Sequence, residues 1–322
     1  MQTDKSINQL VSQYLSDLDV KPQTRYNYEK KLDQWFRYLG IKKVNVREPR
    51  KADVINYKAY LLAKEMTSTT IDGYLCAVRM FYGWLATNRI YREVYQGEFV
   101  NIASGVHSPK KYKGFQKGIL STDQVIELLK AMPKDTISEM RDWCIVNFML
   151  RTGVRRCELH RLNVGDLICE GAHWSMKIMR KGHQFKDQII GISDKATDPL
   201  YEYILLCDNA KNPDSPVLIN HSKYNTNERL NIDYISSLIK KSLRTIGIDD
   251  PKFTGHSLRH TSAVMALRAG ASIYEVQKML GHSSTDTTQI YLSAFEAESF
   301  YQNPAVSAID VALEKQTKTS LN

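Results

Sequence analysis

Residues 255–267, GHSLRHTSAVMAL, place two histidines and an arginine at the start of an apolar run. His256 and Arg259 are three residues apart, so in a helix both project from one face. His256 and His260 are four apart, as in the zinc-hydrolase pattern HExxH, but residue 257 is serine and the glutamate base of that pattern is missing. We therefore exclude zinc hydrolysis. A core histidine beside a solvent-exposed arginine needs no function, so this segment alone leaves its role open.

A second segment, TGVRRCEL at residues 152–159, carries a basic turn. Gly153 permits a sharp turn at the end of one helix, and Arg155 then falls near the start of the next, where backbone N–H groups favour anions. A guanidinium grips two phosphate oxygens at once, and Glu158, three residues on, can orient it. A surface arginine near a turn is also common without any function.

The third segment is LGHSS at residues 280–284, followed by Tyr291, nine residues beyond His282. Gly281 can end a helix that begins near residue 273, which leaves His282 at a turn. A tyrosine with its ordinary pKa of about 10 is a poor nucleophile and needs cations or a proton acceptor nearby. Most tyrosines are simply packed, so Tyr291 alone indicates little.

Taken in order, the three segments resemble the tyrosine recombinase (phage integrase) family. The shared pattern is TG-V-R-xx-EL, then H-xx-R-H, then LGH-S-S and a tyrosine nine residues past the histidine. It covers about residues 120–295, and the helical region before it is similar to the family's core-binding domain. The resemblance implies a mainly α fold with a small antiparallel β-sheet, built from a helical, SAM-like core-binding domain and a catalytic domain.

The resemblance also implies a role for each motif residue. Arg155 and Arg259 would clamp the scissile phosphate and stabilise the pentacoordinate transition state. His256 and His282 would complete the hydrogen bonding and assist proton transfer. Tyr291 would attack phosphorus, leaving a 3′-phosphotyrosine and a free 5′-OH, and a second strand's 5′-OH would reverse the reaction.

The family's general acid is a lysine on a β-hairpin, and Lys181 occupies its place. The turn is longer than usual, so Lys186 is an alternative, and Arg180 replaces the glycine that precedes the family's lysine. Tyr301 lies ten residues past Tyr291 and is a second candidate nucleophile, although Tyr291 alone has the family spacing.

This chemistry requires neither ATP nor a metal, because the phosphotyrosine keeps the bond energy. Guanidiniums that are already in place stabilise the negative charge of the transition state. A single oxyanion-hole donor lowers the activation free energy by about 3–4 kcal/mol, and we expect each guanidinium to act in a similar way. The sequence has no GxxxxGK[ST] loop and no obvious metal-binding set of carboxylates. We therefore expect no cofactor and no metal.

The remaining elements follow from periodicity. Before residue 90 we expect four amphipathic helices, and in the second half a few more helices around a small sheet. The expected helices run from about Ser6 to Leu18, from Pro22 to Gly40, over 51–64, from Ser68, from Ser121, over 140–152 and within 231–314, with strands within 173–192.

We predict a core-binding domain over residues 1–103, a basic linker over 104–118, a catalytic domain over 119–300 and a tail over 301–322. The linker, SGVHSPKKYKGFQKG, is rich in glycine, serine and lysine and has no periodicity. Four of its lysines could follow a phosphate backbone: Lys110, Lys111, Lys113 and Lys117.

The whole net charge of +9 lies in the first third of the chain. Residues 1–117 hold 20 Lys and Arg against 11 Asp and Glu, together with 11 of the 18 tyrosines, and the rest of the chain is neutral. Basic residues interleaved with aromatics favour nucleic-acid binding. A solvated basic face is the alternative.

The family acts as tetramers on two DNA duplexes, sometimes with accessory bending or directionality proteins. An apolar stripe in the tail would either fill a neighbouring subunit's groove or fold back on its own domain: Ala305, Ile309, Ala312 and Leu313.

No arm-binding domain is evident, which favours an Xer-like resolvase, an invertase or a mobile-element recombinase. A catalytically silent DNA-binding protein of the same fold, a metal-dependent nuclease and a type IB topoisomerase-like relaxase are the alternatives.

The composition predicts the compartment in which the protein acts. The chain is 43% hydrophobic and 25% charged, as in soluble globular proteins, and lacks the roughly 18–20-residue apolar stretch of a membrane span. Its five cysteines are scattered without CxxC spacing, which fits reduced thiols in a cytoplasm. We expect a bacterial cytoplasmic protein bound to DNA.

Overall fold

The computed structural model describes residues 5–88, 91, 95–98, 100–110, 118–180, 183–207, 210–224, 226–282, 288–289 and 291. The chain divides into two compact units, Met1–Lys113 and Gly114–Asn322. The division falls within the segment predicted as a linker, and the exact domain boundaries stay predictions. Each unit has its own apolar core.

The first unit is a helical bundle whose apolar stripes meet in one core. Its described helices are α1 Lys5–Asp17, α2 Pro22–Ile41, α3 Lys51–Ala63 and α4 Ser68–Thr87. Pro22 occupies the first turn of α2, and the Thr67 side chain caps α4 by accepting the Thr70 N–H. At the centre, the buried Trp35 donates its indole N–H to the Tyr82 hydroxyl at 3.2 Å. The four helices predicted for this region are present.

The second unit combines helices with a small sheet. Its described elements are α5 Thr122–Ala131, α6 Ile137–Thr152, α7 Arg156–His160, β1 Leu167–Glu170, β2 His173–Ile178, β3 Gln188–Ile192, α8 Asp194–Leu205, α9 Ile232–Thr245, α10 Gly255–Arg268 and α11 Ile273–Leu280. The sheet is antiparallel in the order β1-β2-β3, and Met176 of the central strand pairs with Leu167 and Ile190. The predicted mainly α fold with a small antiparallel sheet is confirmed.

Helix α6 lies at the centre of the second unit. Every residue from Cys144 to Leu150 is buried, which is typical of a helix surrounded by other elements. Helices α8 and α10 pack against it. Because α6 is held from several sides, the turn that follows it has a fixed position, and Arg155 lies on that turn.

Two elements of this unit were not predicted. Strand β1 has only four residues, too few to give a periodic signal. Helix α8 contains Pro199, which removes the N–H that would bond the Lys195 carbonyl and usually breaks a helix. Here the Asn147 side-chain amide donates to that carbonyl at 3.0 Å, so the freed acceptor is satisfied by α6. The helix survives because of this long-range contact.

The other helix boundaries are close to those predicted. Helix α6 begins three residues earlier than expected, at Ile137, because the Thr136 hydroxyl accepts the Glu139 N–H at 3.2 Å and caps it. The helical region predicted within 231–314 contains α9, α10 and α11. The apolar stripe predicted in the tail lies outside the described residues.

Candidate active site

Arg155 stands at the turn between α6 and α7. The turn is made by Gly153, whose φ of +64° lies in the left-handed region that favours glycine. A Cβ at this position would also lie 2.8 Å from Cδ2 of Leu280. Glycine therefore lets the chain reverse close to the end of α11. Arg155 becomes the residue that precedes α7, and one-fifth of its side chain is exposed.

Glu158 is a buried carboxylate shared by three guanidiniums. Its Oε2 accepts the backbone N–H of Arg155 at 2.8 Å, and its Oε1 accepts Nη1 of the same residue at 2.7 Å. Nη1 of Arg180 donates to Oε2 at 3.2 Å, and Nη1 of Arg259 lies 3.9 Å from that oxygen. Glu158 is 1% exposed, so these charges interact with little screening by water. The expected contact between Glu158 and Arg155 is present.

Arg259 extends from α10 into the same cluster. Its Nη1 donates to the Gly153 carbonyl at 2.6 Å, and its Nη2 donates to the Leu280 carbonyl at 2.6 Å. Nη2 also lies 3.0 Å from Nε2 of His282. Burial and the like charge of Arg155 lower the pKa of Arg259 to about 10. The guanidinium stays protonated at neutral pH, and it links the turn after α6 to the end of α11.

His282 directly follows the glycine that ends α11. Because Arg259 donates to its Nε2, the imidazole is neutral, and its Nδ1 lies 2.9 Å from Oγ1 of Thr288. The backbone of His282 is also fixed by Gln277. The Gln277 carbonyl accepts the His282 N–H, and the Gln277 side-chain amide donates to the His282 carbonyl. Burial, together with the charges of Arg259 and Arg155, lowers the pKa of His282 to about 4.

Tyr291 is packed beside these groups and is 3% exposed. Its ring stacks on that of His282 with 6.2 Å between centroids, and its hydroxyl lies 2.8 Å from Nδ1 of His260. The apolar residues buried with it are Ala263, Val264, Leu267, Val276 and Leu280. Burial raises the pKa of Tyr291 above its ordinary value of 10, against the opposing effect of nearby arginines. The phenol is therefore protonated at neutral pH, and attack requires a group that takes its proton.

The two histidines of α10 have different surroundings. His256 is exposed at the first turn, and its ring centroid lies 6.5 Å from that of His260. His260 contacts the Tyr291 hydroxyl, although the sequence pattern singled out His256. The four-residue spacing placed both on one helix face, but only the position of Tyr291 distinguishes them.

An open cavity of about 890 Å³ runs beside the cluster. Its lining includes Arg155, Arg180 and His282, with His183 of the β2–β3 turn. The cavity gives the arginine cluster access to a ligand from solvent.

Of the two lysines proposed as general acid, the structure describes the surroundings of Lys186 but not those of Lys181. Lys186 is ion-paired with Asp166, so its amine already has a partner. Lys181 lies outside the described residues.

The predicted linker lysines are only partly described. Lys110 is exposed. Lys111, Lys113 and Lys117 lie outside the described residues, as does Tyr301, the alternative nucleophile.

Arg180 is the main site residue that sequence reasoning missed as a functional group. It is 3% exposed and touches Glu158. The only sequence signal was an arginine in place of a glycine beside the proposed lysine.

Membrane spans and metal clusters are both absent from the described part of the chain. No helix there combines the length and apolarity needed to cross a bilayer. No three His, Cys, Asp or Glu side chains among those same residues are grouped so as to hold a metal ion.

Two family models match the sequence. The model described as "Phage integrase family" matches residues 119–298, more than half of the chain. The model described as "Phage integrase, N-terminal SAM-like domain" matches residues 7–89. The chain belongs to the phage integrase family. Its two matched regions lie in the two compact units described above.

Similar members of the family are named as tyrosine recombinases. The chain is 27% identical over 274 residues to tyrosine recombinase XerC of Thermodesulfovibrio yellowstonii, covering 82% of this chain and 83% of that protein. It is 26% identical over 298 residues to XerD of Listeria monocytogenes, covering 88% and 94%. It is 29% identical over 243 residues to XerA of Pyrococcus furiosus, covering 76% of each chain.

Solved structures of the family share the fold. XerH site-specific recombinase, bound to a palindromic difH substrate after cleavage, superposes with a TM-score of 0.69 at 16% identity, covering 87% of this chain and 80% of that one. A lambda integrase dimer bound to a COC′ core site gives 0.63 at 15% identity, covering 86% and 95%. A lambda integrase tetramer bound to a Holliday junction gives 0.60 at 15% identity, covering 88% and 76%.

Proposed function

We propose that the protein is a site-specific DNA recombinase that cuts and rejoins DNA through a 3′-phosphotyrosine on Tyr291. The observation that carries this proposal is one connected cluster of Arg155, Glu158, Arg259, His282 and Tyr291, drawn from separate parts of the chain. Membership of the phage integrase family supports the reaction class.

The arginines bind and stabilise the scissile phosphate. Arg155 uses one Nη on Glu158 and lines the cavity, which leaves its other N–H groups for phosphate oxygens. Both Nη groups of Arg259 donate to the protein, to the Gly153 and Leu280 carbonyls and to His282, so either Nη reaches the phosphate by adding to or exchanging one of these hydrogen bonds. His282 donates a ring N–H to an oxygen of the same phosphate in exchange for one of its hydrogen bonds to Arg259 or Thr288.

Tyr291 attacks phosphorus as the bond to the 5′-oxygen breaks. His260 lies within hydrogen-bond distance of the phenol and is placed to accept its proton, with His256 one turn away on α10. The leaving 5′-oxygen takes a proton from Lys181, which we prefer to Lys186 because Asp166 already pairs with the latter. Attack by a 5′-OH on the phosphotyrosine rejoins the strand, with no metal, ATP or cofactor in the balance.

The proposed assembly on DNA is based on solved structures that share the fold. One of these is a recombinase bound to its difH substrate, and another is a tetramer on a Holliday junction. The chain would act in the cytoplasm as a homotetramer on two duplexes, with residues 1–103 and 119–300 as core-binding and catalytic domains. Residues 104–118 would follow the phosphate backbone, and residues 301–322 would dock on a neighbouring subunit.

A catalytically silent DNA-binding protein of the same fold is the second candidate. It is disfavoured because each described motif position holds a residue type that the reaction needs. A covalent product separates the two, since a binding protein gives only salt-sensitive complexes.

The test is recovery of DNA under denaturing conditions. Sheared genomic DNA of the source organism is incubated with the protein, and SDS then removes all DNA that is not covalently bound. We expect adduct with wild type, none with Tyr291→Phe, and native binding unchanged in both. Arg155→Ala should lower adduct by roughly 10²–10³-fold, because its interaction is strongest in the transition state.

The matched control is Tyr224→Phe, since Tyr224 is 96% exposed and neither belongs to the cluster nor lines the cavity. It should form adduct like wild type, and EDTA should not change the yield. Adduct from Tyr291→Phe would refute the assignment of the nucleophile.

A further inference from the structure

Arg180 is a buried arginine that the reaction described above does not use. Its Nη1 donates to Oε2 of Glu158 at 3.2 Å and to the Leu280 carbonyl at 2.9 Å, and its Nη2 donates to the Met279 carbonyl at 3.2 Å. Burying a guanidinium carries a large desolvation cost, which such contacts offset only in part. Burial accordingly lowers the pKa of Arg180, while Glu158 opposes this effect.

The end of α11 is shaped to admit this guanidinium. A Cβ on Gly281 would lie 2.3 Å from both Cζ and Nε of Arg180, closer than two such atoms can approach. Gly281 also has a φ of +61°. Arg180 and Gly281 are therefore a matched pair, because any larger residue at position 281 would displace the guanidinium.

The partners of Arg180 are the same groups that hold the proposed reacting residues. Glu158 fixes Arg155, and the Leu280 carbonyl also accepts Nη2 of Arg259. His282 lies two residues beyond that carbonyl. Arg180 thus joins the end of β2 to α7 and α11, and both of its Nη groups donate to the protein.

We propose that Arg180 is a positioning residue for DNA cleavage, which fastens the end of α11, and with it His282, to Glu158. Arg155, Arg259 and His282 are then held in one arrangement before DNA arrives. This inference rests on the proposed function for its catalytic consequence, but the link between Arg180 and His282 holds in the protein alone.

The charge of Arg180 also affects the pKa of His282. The groups facing His282 are three guanidiniums, the Glu158 carboxylate, the Thr288 hydroxyl and the protonated phenol of Tyr291, so positive charge is in excess. The arginines, Arg180 among them, lower the pKa of His282, and Glu158 opposes them. Removing the Arg180 charge should therefore raise the pKa of His282, which a merely structural residue elsewhere would not do.

The experiment compares Arg180→Gln and Arg180→Met with Arg244→Gln, a control at an exposed arginine that pairs with Asp249 on the surface. The first readout is the single-turnover rate of adduct formation on sheared genomic DNA, beside native DNA affinity. The second is the titration of His282 by NMR in the protein without DNA.

We expect both Arg180 variants to form adduct on the order of ten- to a hundredfold more slowly, by analogy with residues that orient metal ligands. Their DNA affinity should stay within about twofold, because both Nη groups of Arg180 already donate to protein acceptors. The midpoint of the His282 titration should rise in both, and the control should match wild type. Arg180→Lys should restore the charge but not the rate, because an ammonium cannot reproduce the forked contacts.

Each other outcome is decisive. A normal rate and an unshifted His282 titration in folded Arg180 variants would overturn the proposal. Failure of both variants to fold, beside a folded control, would make Arg180 a stability residue and would also overturn it. Absence of adduct from wild type would refute the proposed function, while the His282 titration would still test the link to Arg180.

Discussion

At the scale of single residues, the site depends on Glu158, a buried carboxylate among three guanidiniums. One negative charge holds Arg155 and Arg180 directly and lies 3.9 Å from Arg259. The excess of positive charge is unfavourable in a buried place, and a phosphodiester would relieve it. We therefore expect the cluster to bind an anion without rearranging.

The first prediction concerns the charge of Glu158. Glu158→Gln should lower the free energy of unfolding by roughly 3 kcal/mol, because it leaves buried guanidiniums without a counter-charge. It should also lower adduct formation. Urea unfolding and the denaturing DNA assay measure the two effects.

The matched control is Glu275→Gln. Glu275 is likewise the third residue of a helix and accepts the N–H of its capping residue, Ser272, but it is exposed. Its replacement should cost less than about 1 kcal/mol. Equal costs at both positions would mean that Glu158 acts only as a helix cap.

The second prediction is a pH dependence from His282. Its pKa is about 4 in the folded protein and about 6.5 in an unfolded chain. As the pH falls through this window, the unfolded state binds the proton first, so the free energy of unfolding decreases. Above pH 6.5 the stabilisation is fully present. His282→Gln should flatten the decrease between pH 6.5 and 4 in urea unfolding, whereas the exposed His173→Gln should not; equal curves for both would contradict the account.

At the scale of elements, two glycine-terminated helices bring the site together. Gly153 caps the end of α6 and Gly281 caps the end of α11, both with positive φ, and each glycine is followed within two residues by a site residue. The Gly153 turn packs on Leu280, the last residue of α11. The two helix ends therefore depend on each other, and together they set the distance from Arg155 to His282.

The third prediction tests this packing. Gly153→Ala should cost roughly 1 kcal/mol for its left-handed backbone, and roughly 1–3 kcal/mol more because its Cβ would crowd Leu280. Gly247→Ala is the control, since Gly247 has a φ of +75° but no atom within 4 Å of its ideal Cβ. Urea unfolding should show the larger destabilisation for Gly153→Ala; equal effects would rule out the close contact.

The sequence predicted those parts of the site that are encoded locally. Arg155 with Glu158, and His282 after Gly281, follow from turn and capping signals over a few residues. The contact of Arg180 with Leu280 joins residues 100 positions apart, and no local pattern encodes it. Helix α8 was missed for the same reason, because its proline is tolerated only where Asn147 satisfies the Lys195 carbonyl.

At the scale of the whole molecule, the charge is divided unequally along the chain. The excess of +9 lies in residues 1–117, whereas the described reacting groups lie in the second unit. We therefore expect nonspecific DNA binding to depend on residues 1–117 and the chemistry on the described groups of the second unit. This division predicts that binding and cleavage respond to different substitutions.

The fourth prediction concerns the linker lysines. Changing Lys110, Lys111, Lys113 and Lys117 to Gln should weaken DNA binding and reduce the slope of log affinity against log salt by roughly 3–4, about 0.9 for each phosphate that is no longer neutralised. The control removes the same charge from exposed lysines of the second unit: Lys195, Lys211, Lys223 and Lys252. Filter binding over a range of salt compares the two; equal slopes would mean that only net charge matters.

Mass spectrometry of the covalent complex can show which residue of the protein carries the DNA. The wild-type adduct is digested with nuclease and then trypsin, which should release residues 279–315 as one peptide carrying both Tyr291 and Tyr301. Tandem mass spectrometry then assigns the residual phosphonucleotide. We expect the phosphonucleotide on Tyr291 in the wild-type protein and none in Tyr291→Phe. A phosphonucleotide on Tyr301, or on any residue outside this peptide, would contradict this expectation.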